Sequence, residues 1–122
     1  MLGMTRKLKV WAYTSPVDMR KGFDGLFGIV RSRLGRDPLK GDAFLFVNRN
    51  RKLAKVLLWD GTGLCIWAKR MERGRFAKLW GVTPDEEIEM TQAELAAFLD
   101  GWKMAGKVRL SRVEFRVSGL TN

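Results

Sequence analysis

The chain has 122 residues, 46% of them hydrophobic and 30% charged, which suits one core and a single domain over 1–122. Its 23 Lys and Arg against 13 Asp and Glu give a net charge of +10, and residues 1–80 carry 18 of the cations but only six of the acids. No run reaches the roughly 18 apolar residues of a membrane span, no apolar leader opens the chain, histidine is absent and Cys65 is the lone cysteine; a membrane-spanning helix, an internal disulfide, a Cys/His metal site and histidine-based catalysis are excluded, and a cytoplasmic location is expected.

Residues 7–14 (KLKVWAYT) read as a first strand. Ser15-Pro16-Val17-Asp18 then carries the marks of a helix start: a capping hydroxyl, a proline suited to the first helical position and a first-turn acid. Met19, Phe23, Leu26, Val30 and Leu34 follow at helical spacing, so the helix is expected over 16–34, stopped by Gly35. Gly22, Gly25 and Gly28 interrupt it every three residues, and something is expected to pack close there. After a loop at 36–42, Ala43–Val47 (AFLFV) is apolar on both faces and reads as an interior strand. Residues 48–52 (NRNRK) form a cationic turn, Leu53–Trp59 the next strand, Asp60-Gly61-Thr62-Gly63 a turn, and 64–71 a further strand. Lys55 marks a partly wet face.

Beyond Gly81 the chain turns acidic, with a short extended piece at 88–90. Thr91-Gln92-Ala93-Glu94 is a capping box opening a second helix, with Leu95, Phe98, Leu99 and Trp102 on one face and an end near 105–106. Residues 107–117 alternate, with a phase break at Ser111-Arg112, and read as an amphipathic, bulged strand that adds to the sheet or pairs with another copy. The expected fold class is α+β: an antiparallel meander of four to five strands with one helix packed on it and a second, C-terminal helix.

Asp18, Asp60 and Glu72 are the carboxylates a two-metal nuclease would need. Each has a simpler role, in a helix first turn, in a hairpin turn and between cations, so neither catalytic nor metal-binding residues are assigned and no cofactor is expected. The cations are more informative. Arg49, Arg51 and Lys52 share one turn, while Lys69, Arg70, Arg73 and Arg75 follow the last strand of the meander. A meander returns its third strand to its first turn, so these two sets are expected to share an edge, and Arg20 and Lys21, in the helix first turn, are placed at its border. Phe76 is placed with them as a ring for base stacking, and Trp67 reads as core.

Three blocks carry a family resemblance. They are PVDMRKGFDGL at 16–26, GRDP at 35–38 with FLFV at 44–47 and the basic turn after it, and KVLLWDG–GLC–KRMERGRF between 55 and 76. The chain resembles the TnpB-type (Orf-two-like) accessory proteins of bacterial insertion sequences of the group numbered sixty-six, with the family core at about 8–105 and 106–122 as an extension. The resemblance implies a non-enzymatic helper of transposition, encoded beside a separate transposase. DNA is then the leading expected partner, the transposase or another element-encoded helper the alternative, a metal-dependent nuclease the third reading; no membrane partner is expected, and homo-oligomer formation stays open.

Overall fold

The computed structural model describes residues 7–81 and 86–101. Five strands, β1 (Val10–Tyr13), β2 (Ala43–Val47), β3 (Leu53–Trp59), β4 (Leu64–Arg70) and β5 (Glu87–Met90), form one sheet in the order β4-β3-β2-β1-β5. Two helices, α1 (Phe23–Ser32) and α2 (Gln92–Leu99), accompany it. The α+β class and the β2-β3-β4 meander are as the sequence suggests. The sheet is mixed rather than purely antiparallel, because β1 runs parallel to β2, Val10 opposite Ala43 and Ala12 opposite Leu45. Parallel neighbours need a crossover, and the chain between them supplies α1 for that purpose. β5 then adds antiparallel to β1 and closes the other edge.

Alternation sends the strand residues to two faces, and both are covered. On one face Val10, Leu45, Val47, Val56 and Leu58 pack with Phe76, Leu79, Leu95 and Phe98. On the other Trp11, Tyr13, Phe44, Phe46 and Leu57 pack with Val17, Leu26 and Val30. β2 is buried along its whole length, as an interior strand apolar on both faces must be. Each fully buried Phe or Leu contributes about 1.5–3 kcal/mol by leaving water.

The first helix begins later than the sequence signals suggest. Val17 is buried and its N–H donates to the Val47 carbonyl at 3.0 Å. Asp18 accepts the Arg20 N–H at 2.9 Å, and the Lys21 N–H reaches the Asp18 carbonyl at 3.1 Å. Residues 17–21 therefore form a strap across the sheet. The carbonyls of Met19 and Lys21 accept the Lys55 ammonium at 2.8 and 2.9 Å, so they are not given to helical N–H groups. The helix starts after Gly22, with no side-chain cap. Gly35 does end this stretch in the left-handed region, and the next N–H, that of Arg36, returns to the Val30 carbonyl. The glycine spacing serves less than expected: a Cβ would meet only the Lys21 side chain at Gly25, and nothing lies within 4 Å of one at Gly22 or Gly28.

The capping box is formed. Thr91 accepts the Glu94 N–H at 3.0 Å and the Glu94 carboxylate takes the Thr91 N–H at 2.8 Å. Trp102, the expected helix end at 105–106 and the strand at 107–117 lie outside the described residues.

One ion pair braces β1, β5 and the loop before β2. Arg36 meets Glu87 through two bonds of 2.9 and 2.7 Å, and its guanidinium carbon lies 3.4 Å from the centroid of the Trp11 ring. Trp11 in turn donates to Asp42 at 3.0 Å. Both partners are mostly covered, so this pair escapes much of the screening that weakens surface pairs. Replacing Arg36 with Ala should cost about 1–2 kcal/mol, from the lost fork and cation–π contact, read as a lower urea midpoint with unchanged slope.

Candidate nucleic-acid interface

The β3–β4 register sets the site. Leu53 lies opposite Arg70 and Trp59 opposite Leu64, so the turn before β3 and the exit from β4 share one end of the sheet. Asn48 builds that turn by accepting the N–H groups of Lys52 and Leu53, both at 3.0 Å. Arg51 takes a left-handed conformation there, φ 62°, where most non-glycine residues are strained. The chain leaving β4 stays on the turn. Met71 and Phe76 donate N–H groups to the carbonyls of Lys52 and Arg51, each at 2.8 Å, and the Arg51 guanidinium donates to the Phe76 carbonyl at 3.2 Å. The intervening stretch projects as a loop with Glu72, Arg73, Gly74 and Arg75 exposed. Gly74 needs its left-handed φ of 71° to turn it.

Exposed at this end are Arg49, Arg70, Arg73 and Arg75. Between residues 43 and 78 the carboxylates are Asp60 and Glu72 alone. Glu72 lies 3.5 Å from Arg70, with side chains 81% and 71% exposed, a pairing worth about 0–1 kcal/mol and open to competition. Asp60 sits at the far end of the hairpin, roughly 20 Å away by strand rise. The edge is thus strongly cationic.

The other expected site residues separate. Lys55 draws the strap to the same end on the α1 side, which brings Lys21 and Arg20 to the border of the cationic edge. Arg20 is 91% exposed, yet Asp18 holds it at 2.7 Å; the Arg20 guanidinium and N–H keep the Asp18 carboxyl down at about 2. Lys52 is half-buried. Lys69 points to the α2 face, where its ammonium lies 2.6 Å from the Leu99 carbonyl and caps the end of α2. Phe76 is a correction: it has no exposed surface and stacks on Phe98, centroids 5.3 Å apart and planes 11° off parallel. Its ring is the anchor of the exit loop and is out of reach of any base.

Trp67 has the reverse position to the one expected. It is 43% exposed on the α2 face of β4. The short α2 leaves an apolar trough of about 440 Å³ there, lined by Val56, Leu58, Cys65, Trp67, Leu95 and Leu99 among others. In sequence Trp67 sits between Ile66 and Ala68 and pairs with Val56 of β3, so nothing local to it marks the ring as exposed.

The three carboxylates are each engaged locally. Asp18 clamps Arg20, Glu72 faces Arg70, and Asp60 accepts the N–H groups of Thr62 and Gly63, both at 2.9 Å, and the Thr62 hydroxyl at 3.0 Å. Those N–H groups hold Asp60 at about 2. Burial, and then the nearby Asp60 carboxylate, push the Cys65 thiol up, which makes it a poor nucleophile.

A small mixed-sheet α+β protein that presents a cationic edge is the class this geometry defines. Residues 8–109 match the family described as IS66 Orf2 like protein, and the chain belongs to that family of insertion-sequence accessory proteins. Two relatives come from Sinorhizobium fredii (strain NBRC 101917 / NGR234). "Uncharacterized protein y4hO" is 38% identical over 101 residues, 83% of this chain and 86% of its own, and "Uncharacterized protein y4jC" is 33% identical over 101 residues, 83% and 85% respectively. No solved structure gives a significant match. Among the described residues no helix is long and apolar enough to cross a membrane.

Two outcomes follow from this geometry. Phe76→Ala should destabilise the protein by about 3–5 kcal/mol, while Trp67→Ala, at a half-exposed ring, should cost far less; denaturant curves of the two check it. A carboxylate held low stabilises the fold fully above its ordinary value of about 4 and loses that contribution as pH falls through about 2. Stability should therefore drop more steeply between pH 4 and pH 2 in the parent than in Asp60→Asn, measured by urea midpoints across that window.

Proposed function

We propose that the protein is a non-enzymatic accessory factor of transposition that binds DNA through its cationic edge, acting in the cytoplasm. Arg49, Arg70, Arg73 and Arg75 contact backbone phosphates, with Lys52 beside them and Lys21 and Arg20 at the rim. The observation that carries this reading is the register that places the 48–52 turn and the 70–76 exit on one end of the sheet, with Glu72 as the local carboxylate. Backbone contacts of this kind position a protein on duplex DNA without reading its sequence. The hydrogen bonds that fix the turn and the loop lower the ordering cost of presenting these side chains.

A second reading, an adaptor for the separately encoded transposase or another helper, is favoured by Trp67 in its open apolar trough, since aromatic rings beside arginines suit interface hot spots. Salt separates the two. DNA binding by the edge should weaken with log salt at a slope of about −0.9 per phosphate contact. The triple variant Arg70→Ala/Arg73→Ala/Arg75→Ala should reduce that slope by about two to three units and weaken binding on any duplex sequence. Equal affinity and slope in parent and variant, by fluorescence anisotropy, would remove these residues from the site.

A further inference from the structure

The two edges of the sheet are built differently. β5 is four residues long, carries Glu87 and Glu89, and is pinned by Arg36, all features that discourage a further strand. β4 is seven residues long, pairs with β3 at every position without a bulge, and is apolar from Leu64 to Ala68. Nothing among the described residues covers its outer side.

The ladder phase shows what β4 offers. The Asp60 N–H donates to the Gly63 carbonyl at one end of the hairpin, and the Met71 N–H to the Lys52 carbonyl at the other. Hydrogen-bonded and non-hydrogen-bonded positions alternate in an antiparallel pair. Cys65, Trp67 and Lys69 therefore turn their backbone groups towards β3, and Leu64, Ile66, Ala68 and Arg70 turn theirs outward.

We propose that a second copy of this chain occupies this edge, β4 against β4, antiparallel, with the two-fold axis at Trp67. That register keeps both strands in full overlap. Leu64 faces Arg70 and Ile66 faces Ala68 of the second copy, so all four outward residues find partners at once. The two Trp67 side chains meet at a non-hydrogen-bonded position, where cross-strand Cβ atoms lie about 4.5–5.5 Å apart and aromatic pairs are favoured. Their rings close the open sides of the two apolar troughs. Charge selects the antiparallel sense. β4 has a carboxylate, Asp60, before its start and cations, Arg73 and Arg75, after its end. Antiparallel pairing sets the hairpin end that carries Asp60 beside the cationic end of the second copy, whereas parallel pairing stacks cation on cation. The proposal does not depend on what the cationic edge binds.

Sedimentation equilibrium of the full chain, without nucleic acid and over a wide concentration range, tests it. The parent should converge on twice the 14.0 kDa chain mass. Ala68→Pro removes an outward N–H and leaves the β3 ladder intact, so it should sediment as a single chain with an unchanged circular dichroism spectrum. A second measurement stands apart from that variant's folding. Trp67→Cys in a Cys65→Ala background should form a disulfide-linked dimer on mild oxidation, because Cα atoms about 4.5 Å apart suit the bond. Thr62→Cys in the same background, in the hairpin turn far from the two-fold axis, should not. A parent that stays a single chain at all concentrations overturns the proposal. So does a dimer that Ala68→Pro leaves unchanged, or a Thr62→Cys variant that cross-links as readily as Trp67→Cys.

Discussion

The cationic edge depends on the way residues 71–76 are tied to residues 51–52. Two backbone hydrogen bonds and one from the Arg51 side chain join the exit of β4 to the turn before β3. Behind them Phe76 is sealed against Phe98 on α2. Without that buried ring, the arginines after β4 would hang on a free tail, and their charges would be averaged over a wide volume. With it, they occupy a loop closed at both ends. The core thus holds the surface: burial of one aromatic side chain determines where several charges stand.

Crowding like charges is costly, and the fold shows where the cost is kept small. Side chains that point into protein, Lys55 and Lys69, place their ammonium groups on backbone carbonyls. Those that point outward remain in water, where the effective dielectric is high and repulsion over several ångströms is screened within a Debye length of about 8–10 Å. Arg20 has its own carboxylate. The exposed arginines beyond it keep a field that a polyanion would relieve.

Much of this was legible from the residues. β2 and β3 are observed at their expected bounds, because a run apolar on both faces and a run with one inward lysine have few other solutions. The capping box at Thr91 is a local signal and was realised locally. What misled were signals that act at a distance. Ser15-Pro16-Val17-Asp18 has every mark of a helix start, yet a buried Val17 and two carbonyls bound to Lys55 keep it out of the helix. The parallel pairing of β1 with β2 was implicit in the long connection between them, which is of crossover length, but strand order does not follow from a propensity. Phe76 and Trp67 exchanged places because either ring fits a core by composition; only the reach of α2 over the sheet, short of β4, decides which is covered.

The Lys55 contact has a consequence for how the molecule folds. It joins residues 34 and 36 positions apart, and it fixes the strap from which α1 departs. Where the first helix begins is therefore decided by a strand made later in the chain. Closing so long a loop costs entropy before the contact returns any. The β2–β3–β4 hairpins, with their short turns, close at a smaller entropic cost, and the amino-terminal third takes its register from a strand that lies beyond it in the chain.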